Sequence, residues 1–171
     1  MVSVFKGLTI MNAILLAAGL GTRLKPLTNK IPKCLVPING KPLLEIWLEN
    51  IFSSGINKCL INTHYLSSLV EDFIYNSNFK NRIEIVNEKH LIGTAGSLKK
   101  NINFFNEKNG LVIYADNFTT LKLKDFLQKS KKMPEECYIS MLTFECEDSS
   151  QAGIVYLNED NILTNFVEKP K

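Results

Sequence analysis

The stretch Asn12–Pro42, NAILLAAGLGTRLKPLTNKIPKCLVPINGKP, decides how this chain folds. It opens with an apolar run, Ala13-Ile14-Leu15-Leu16, that reads as a buried strand. The strand empties into Ala17-Ala18-Gly19-Leu20-Gly21-Thr22-Arg23. Glycines let backbone N–H groups come close to a phosphate, and Arg adds a forked, permanent positive charge. Lys25, Lys30 and Lys33 follow, punctuated by Pro26, Pro32 and Pro37, so the loop is basic and stiff. The glycine pattern is neither the dinucleotide fingerprint nor Walker A. The plainer reading is a surface loop of turn formers and solvated lysines after an edge strand.

Working outward, Leu44, Trp47, Leu48 and Ile51 recur at helical spacing after Pro42, which suits a first helical turn, and Gly55 stops the run. Lys58–Asn62 reads as a strand. Leu66, Leu69, Val70, Phe73 and Ile74 form the stripe of a second helix, with Ser68 and Glu71 spaced as a capping box. Arg82–Asn87 alternates as a strand, and Glu88–Ser97 is a second strand-to-loop-to-helix passage. Leu111–Ala115 is a buried strand ending at Asp116, and Leu123, Phe126 and Leu127 mark a helix to about Lys131. Cys137–Phe144, Gly153–Leu157 and Ile162–Val167 read as strands. Alternating strands and helices predict an α/β fold with a mainly parallel sheet. The Gly-Arg loop, the Glu88–Gly96 loop and Asp116 all fall at strand carboxyl ends, where such sheets bind ligands.

The string GLGTRLKPLTNKIPKCLVPINGKPLLE resembles the sugar-1-phosphate nucleotidyltransferases, whose signature is L-A-A-G-x-G-T-R-[L/M]-x-P-L-T-x-x-x-P-K-x-L-x-P. The likeness continues through Gly93-Thr94-Ala95-Gly96, Ala115-Asp116-Asn117 and Glu168-Lys169-Pro170. It implies a Rossmann-like mixed, mainly parallel sheet flanked by helices, the nucleotide-diphospho-sugar transferase fold. It implies transfer of a nucleotidyl group from an NTP to a sugar 1-phosphate, with Mg²⁺ as cofactor, feeding nucleotide-sugar and polysaccharide biosynthesis. Arg23 would bind the triphosphate, and Lys33 would neutralise charge at the α-phosphate. Asp116 would hold the metal, as a hard oxygen ligand suits Mg²⁺. Leu16, Ala17, Ala18, Gly19, Gly21, Thr22, Gly93 and Thr94 would contact nucleotide. Gly153, Glu168 and Lys169 would take the sugar phosphate. The family's Gly-Asp is Ala115-Asp116 here.

Glu88 lies in what resembles the family's base-reading segment. A carboxylate only accepts hydrogen bonds, and guanine offers two adjacent donors, whereas an amide suits the mixed edge of uracil or thymine. That favours GTP, with UTP, dTTP and CTP as alternatives; the competing reading is a solvated Glu at a strand end. His64 and His90 read as structural or rim residues.

Composition limits the other classes. The 171 residues suit one domain, and 45% hydrophobic with 22% charged content is ordinary for a globular chain. A formal charge of +3 is too small to argue for nucleic acid, and no apolar run is long enough for a membrane span. Cys34, Cys59, Cys137 and Cys146 include no C-x-x-C pair, which predicts reduced thiols in a cytoplasmic protein. Family members open almost directly with M-x-A-I-L-L-A-A-G, so Met11 is the expected natural start and 1–11 an N-terminal extension. The family's second metal-binding aspartate follows E-K-P by some tens of residues. The single domain, 12–171, is therefore expected to be C-terminally incomplete, with an exposed sheet edge that invites a homo-oligomer. A nucleotide-binding module, or truncated paralogue, without turnover is the alternative function.

Overall fold

A computed structural model describes residues 2–5, 11–106, 109–145 and 152–168. The main sheet has six strands: β1 (Val2–Phe5), β2 (Asn12–Leu16), β5 (Cys59–Thr63), β6 (Ile83–Asn87), β7 (Gly110–Tyr114) and β8 (Ile139–Met141). Their order across the sheet is β6-β5-β2-β7-β1-β8. The four strands β6, β5, β2 and β7 run parallel, and β1 pairs antiparallel with both β7 and β8. The stretch expected to precede the domain thus supplies a sheet strand at Val2–Phe5. Two short strands, β3 (Pro37–Ile38) and β4 (Lys41–Pro42), form a hairpin; β9 (Gly153–Leu157) and β10 (Leu163–Glu168) form another.

The continuous apolar character of β2 has a direct cause: it is buried on both faces. Ala13 and Leu15 point into the larger core with Trp47, Leu48 and Ile61. Ile14 points the other way, against Leu60, Phe105 and Val112. Helices α1 (Leu43–Ser53), α2 (Ser67–Tyr75) and α4 (Leu123–Ser130) contribute buried residues to the first core. Leu98 of α3 (Gly93–Lys100) and the 3-10 turn Ile102–Phe105 close the second. The result is three layers, helix, sheet and helix, with every parallel strand ending on the same rim.

Several local expectations need correction. The capping box of Ser68 and Glu71 does not form: α2 begins at Ser67 behind Leu66 in left-handed backbone, with no side-chain cap. The hydroxyl next door, on Ser67, accepts instead from Asn87 Nδ2 at 2.7 Å. Pro42 precedes α1 rather than entering its first turn. Arg82 closes a 3-10 turn before β6. Its guanidinium ties down the carbonyls of Asn57 and Ile56 and stacks 4.1 Å above the Phe52 ring. The strand expected over Cys137–Phe144 shrinks to Ile139–Met141, because Tyr138 and Phe144 are exposed and bury too little to extend it.

Candidate active site

The rim at the carboxyl ends of β2, β5, β6 and β7 surrounds a cleft of about 250 Å³. Leu16, Ala17, Ala18 and Gly19 form one wall, and Glu88, Gly93 and Thr94 the other. Lys33 and Asp116 stand along the same cleft.

The glycine loop is held open by its own geometry. Gly21 has φ 65°, a left-handed conformation that a side chain disfavours. A Cβ there would lie 2.9 Å from Thr28 Cγ2. Buried Thr28 donates from Oγ1 to the Gly21 carbonyl at 2.7 Å, and Leu24 N–H donates to the same carbonyl at 3.0 Å. Three 3-10 turns, Thr22–Leu24, Leu27–Asn29 and Lys33–Leu35, carry the basic segment back toward the sheet.

That return brings Lys33 to Asp116. Lys33 Nζ donates to Asp116 Oδ2 at 2.6 Å, with the two side chains 27% and 38% exposed. Asp116 is set by α1: Trp47 Nε1 donates to the Asn117 carbonyl at 2.8 Å, and Asn50 holds the Leu121 carbonyl and the Leu123 N–H. Asp116 Oδ1 has no hydrogen-bond donor among the described residues. Mg²⁺ takes one or two carboxylates and completes its shell with phosphates and water, so this single free oxygen fits it. No cluster of three or more His, Cys, Asp or Glu forms among the described residues. Cys34, beside Lys33, also lines the cleft. Burial pushes its thiol up to about 12; its backbone hydrogen bond opposes the rise and the Asp116 carboxylate adds to it.

Glu88 is 2% exposed rather than solvated. Its N–H donates to the Thr63 carbonyl at 2.8 Å, and its own carbonyl lies 2.7 Å from His64 Nδ1. Sequence reasoning missed the polar groups around it. Asn62, Ser97 and Tyr114 all line the cleft, and Tyr114 Oη donates to Thr94 Oγ1 at 3.2 Å. One signal was readable: Asn62 is a polar side chain at the end of an apolar strand.

Not every expected residue reaches the cleft wall. Gly21, Thr22 and Arg23 lie further along the loop, and Arg23 is exposed. Gly153 and Glu168 face each other across the β9–β10 hairpin, away from the lining. A Cβ on Gly153 would meet the Phe166 ring at 2.5 Å, which accounts for the glycine by packing within the hairpin. Lys169 falls outside the described residues.

A rim of this construction, with a paired cation and carboxylate and buried polar groups behind them, lies where parallel α/β proteins take up their ligands. The chain belongs to the nucleotidyl transferase family, which it matches over residues 12–171. It is 30% identical to D-glycero-alpha-D-manno-heptose 1-phosphate guanylyltransferase of Campylobacter jejuni, covering 93% of this chain and 69% of that one. It is also 30% identical to a putative mannose-1-phosphate guanyltransferase of Sulfolobus acidocaldarius, covering 95% of this chain but 45% of that one. The chain therefore spans between under half and about two thirds of these relatives. Among solved structures, HddC from Yersinia pseudotuberculosis complexed with GMP-PN superposes with a TM-score of 0.70 at 26% identity, covering 94% of this chain and 70% of that one. A UDP-glucose pyrophosphorylase shares the fold with a TM-score of 0.72 at 21% identity.

Proposed function

We propose that this chain binds an NTP, GTP in preference, and transfers its nucleotidyl group to a sugar 1-phosphate of manno-configured hexose or heptose type. The observation that carries this reading is the convergence of the glycine loop, the first turn of α3 and the Lys33–Asp116 pair on one cleft. The guanylyltransferase relatives support the base, and a uridylyltransferase of Synechocystis, 29% identical, keeps UTP as the alternative.

In the reaction, a phosphate oxygen of the sugar 1-phosphate attacks the α-phosphorus of the NTP. A new P–O bond forms as the bond to the β-phosphate breaks, and pyrophosphate leaves with the electron pair. This chemistry needs positioning and charge neutralisation more than covalent help. Backbone N–H groups of Ala18 and Gly19 approach the phosphates, while that of Ala17 is held by Asn62. Lys33 neutralises charge developing at the α-phosphate, and Arg23 draws in the outer phosphates from the loop. Asp116 would hold Mg²⁺, which when bound supplies further charge neutralisation. Gly153, Glu168 and Lys169 remain the candidates for the sugar phosphate.

Pyrophosphate release measured with Mg²⁺, a panel of NTPs and a panel of sugar 1-phosphates tests this directly. Turnover with GTP and a manno-configured substrate is the expected result. Thermal stabilisation by nucleotide with no turnover would replace the enzyme with a binding module, and no stabilisation by any NTP would end both.

A further inference from the structure

Glu88 is pinned at every hydrogen-bonding point but one. Its backbone N–H is taken by Thr63 at 2.8 Å, and its backbone carbonyl is 2.7 Å from His64 Nδ1. Its Oε1 accepts from two buried donors, Asn62 Nδ2 at 3.1 Å and Ser97 Oγ at 2.5 Å. Two donors fill the two lone-pair sites of one carboxylate oxygen. Oε2 has no donor among the described residues, although Glu88 is 2% exposed and lines the cleft. Oε2 is not among the fully buried polar atoms left without a partner, so it keeps access to the cleft and is free to accept from a ligand donor there.

Asn62 is the hub of this arrangement. It is itself 2% exposed, and its side chain makes three hydrogen bonds. Its amide donates to Glu88 and, at 3.2 Å, to Ser97 Oγ, while its Oδ1 accepts the Ala17 N–H at 2.8 Å. One side chain therefore ties the carboxylate on the far wall to the first residue of the phosphate-side loop.

We infer that Asn62 and Ser97 are specificity-determining positioning residues: by saturating Oε1 they aim Oε2 of Glu88 at the base, so that guanine is read by a single carboxylate oxygen. The inference rests on the guanine preference proposed above. One oxygen with two free lone pairs accepts from both N1–H and the 2-amino group of guanine. At uracil the same oxygen meets one N–H flanked by two carbonyls, and repels them. Asn62 does not touch the nucleotide in this scheme. It acts through Glu88, and through Ala17 it fixes how far the base sits from the phosphates.

The test is nucleotide affinity of the full chain, by titration of GTP, ITP and UTP against the wild type, Asn62→Ala, Ser97→Ala and Glu88→Gln. ITP lacks the 2-amino group and reports on that donor alone. The expected result is that Ser97→Ala and Asn62→Ala each lower the GTP-to-UTP affinity ratio by about tenfold, a size set by one misdirected charged hydrogen bond. Glu88→Gln lowers it at least as much, and the wild type prefers GTP to ITP. Equal weakening of all three nucleotides by both Asn62→Ala and Ser97→Ala would overturn the positioning role, because a purely structural defect does not distinguish bases. A wild type that prefers UTP would overturn the guanine reading itself, independently of any variant. Ser97→Ala removes only a hydroxyl, so it settles the question if Asn62→Ala does not fold.

Discussion

Lys33 and Asp116 make opposite contributions to stability and to chemistry. The pair is a third exposed and solvent-screened, so it adds little to folding, within about 1 kcal/mol for such surface ion pairs. Its place is the phosphate end of the cleft, where removing one charge-stabilising group typically costs about 10²–10³ in turnover. Lys33→Ala and Asp116→Asn should therefore lower pyrophosphate release by about that factor while the melting temperature barely moves. A large loss of melting temperature in either would make the pair structural. Gly21→Ala should do the reverse first: strained backbone and the contact with Thr28 cost on the order of 1–3 kcal/mol. Buried thiols supply a pH signature. Cys34 and Cys59 are both raised by burial from 9.0 to about 12. The native state keeps protons that the unfolded chain loses, so their contribution is complete below pH 9 and fades as pH rises toward 12. Unfolding titrations should show stability falling by about 1.4 kcal/mol per pH unit per thiol in that window, and Cys59→Ala should halve the slope. Lys33, Asp116 and the loop glycines were legible because their residue types have few other reasons to follow a core strand. Asn62 is marked only as a polar residue closing an apolar strand and Ser97 not at all, since what they do depends on three strands and a helix meeting, which no local pattern encodes.

Among the elements, α1 carries more of the site than its apolar stripe suggests. The stripe packs it on the sheet, and the Trp47 indole N–H and the Asn50 amide reach over to hold the segment from Asn117 to Leu123. Asn50→Ala strips the partner from a carbonyl and an N–H at once. It should cost about 1–3 kcal/mol and reduce turnover through Asp116 although it touches no substrate. Hydrogen exchange that quickens at Leu121–Leu123 but not in β2 would place the effect there. The parallel strands were readable from sequence because burial on both faces leaves unbroken apolar runs. The start of α2 was not, because Ser67 spends its hydroxyl on Asn87, which lies on another element. The strand around Ile139 is shorter than its sequence suggests for a related reason. Aromatic residues such as Tyr138 and Phe144 favour strands by propensity, but propensity yields where there is nothing to pack against.

At the scale of the whole molecule, the sheet is a parallel half built for the ligand and an antiparallel margin built from β1 and β8. Among the described residues, β8 pairs in the sheet with β1 alone, and β1 covers the outer edge of β7. Removing residues 1–10 should release Ile139–Met141 to fast hydrogen exchange and expose the β7 edge, seen as concentration-dependent association in size-exclusion chromatography. Unchanged exchange at Ile139–Met141 would contradict this. The same arrangement sets an order of events during synthesis. Val4 pairs with Leu111 and with Ser140, so β1 is made long before either neighbour exists. The ligand rim, whose strands are closer together in sequence, can assemble while β1 still waits. Long-range closure of this kind is slow, and an open strand edge is the part of a nascent chain most prone to wrong partners. The margin that takes no part in the chemistry is thus the part on which the yield of folded protein in the cell depends.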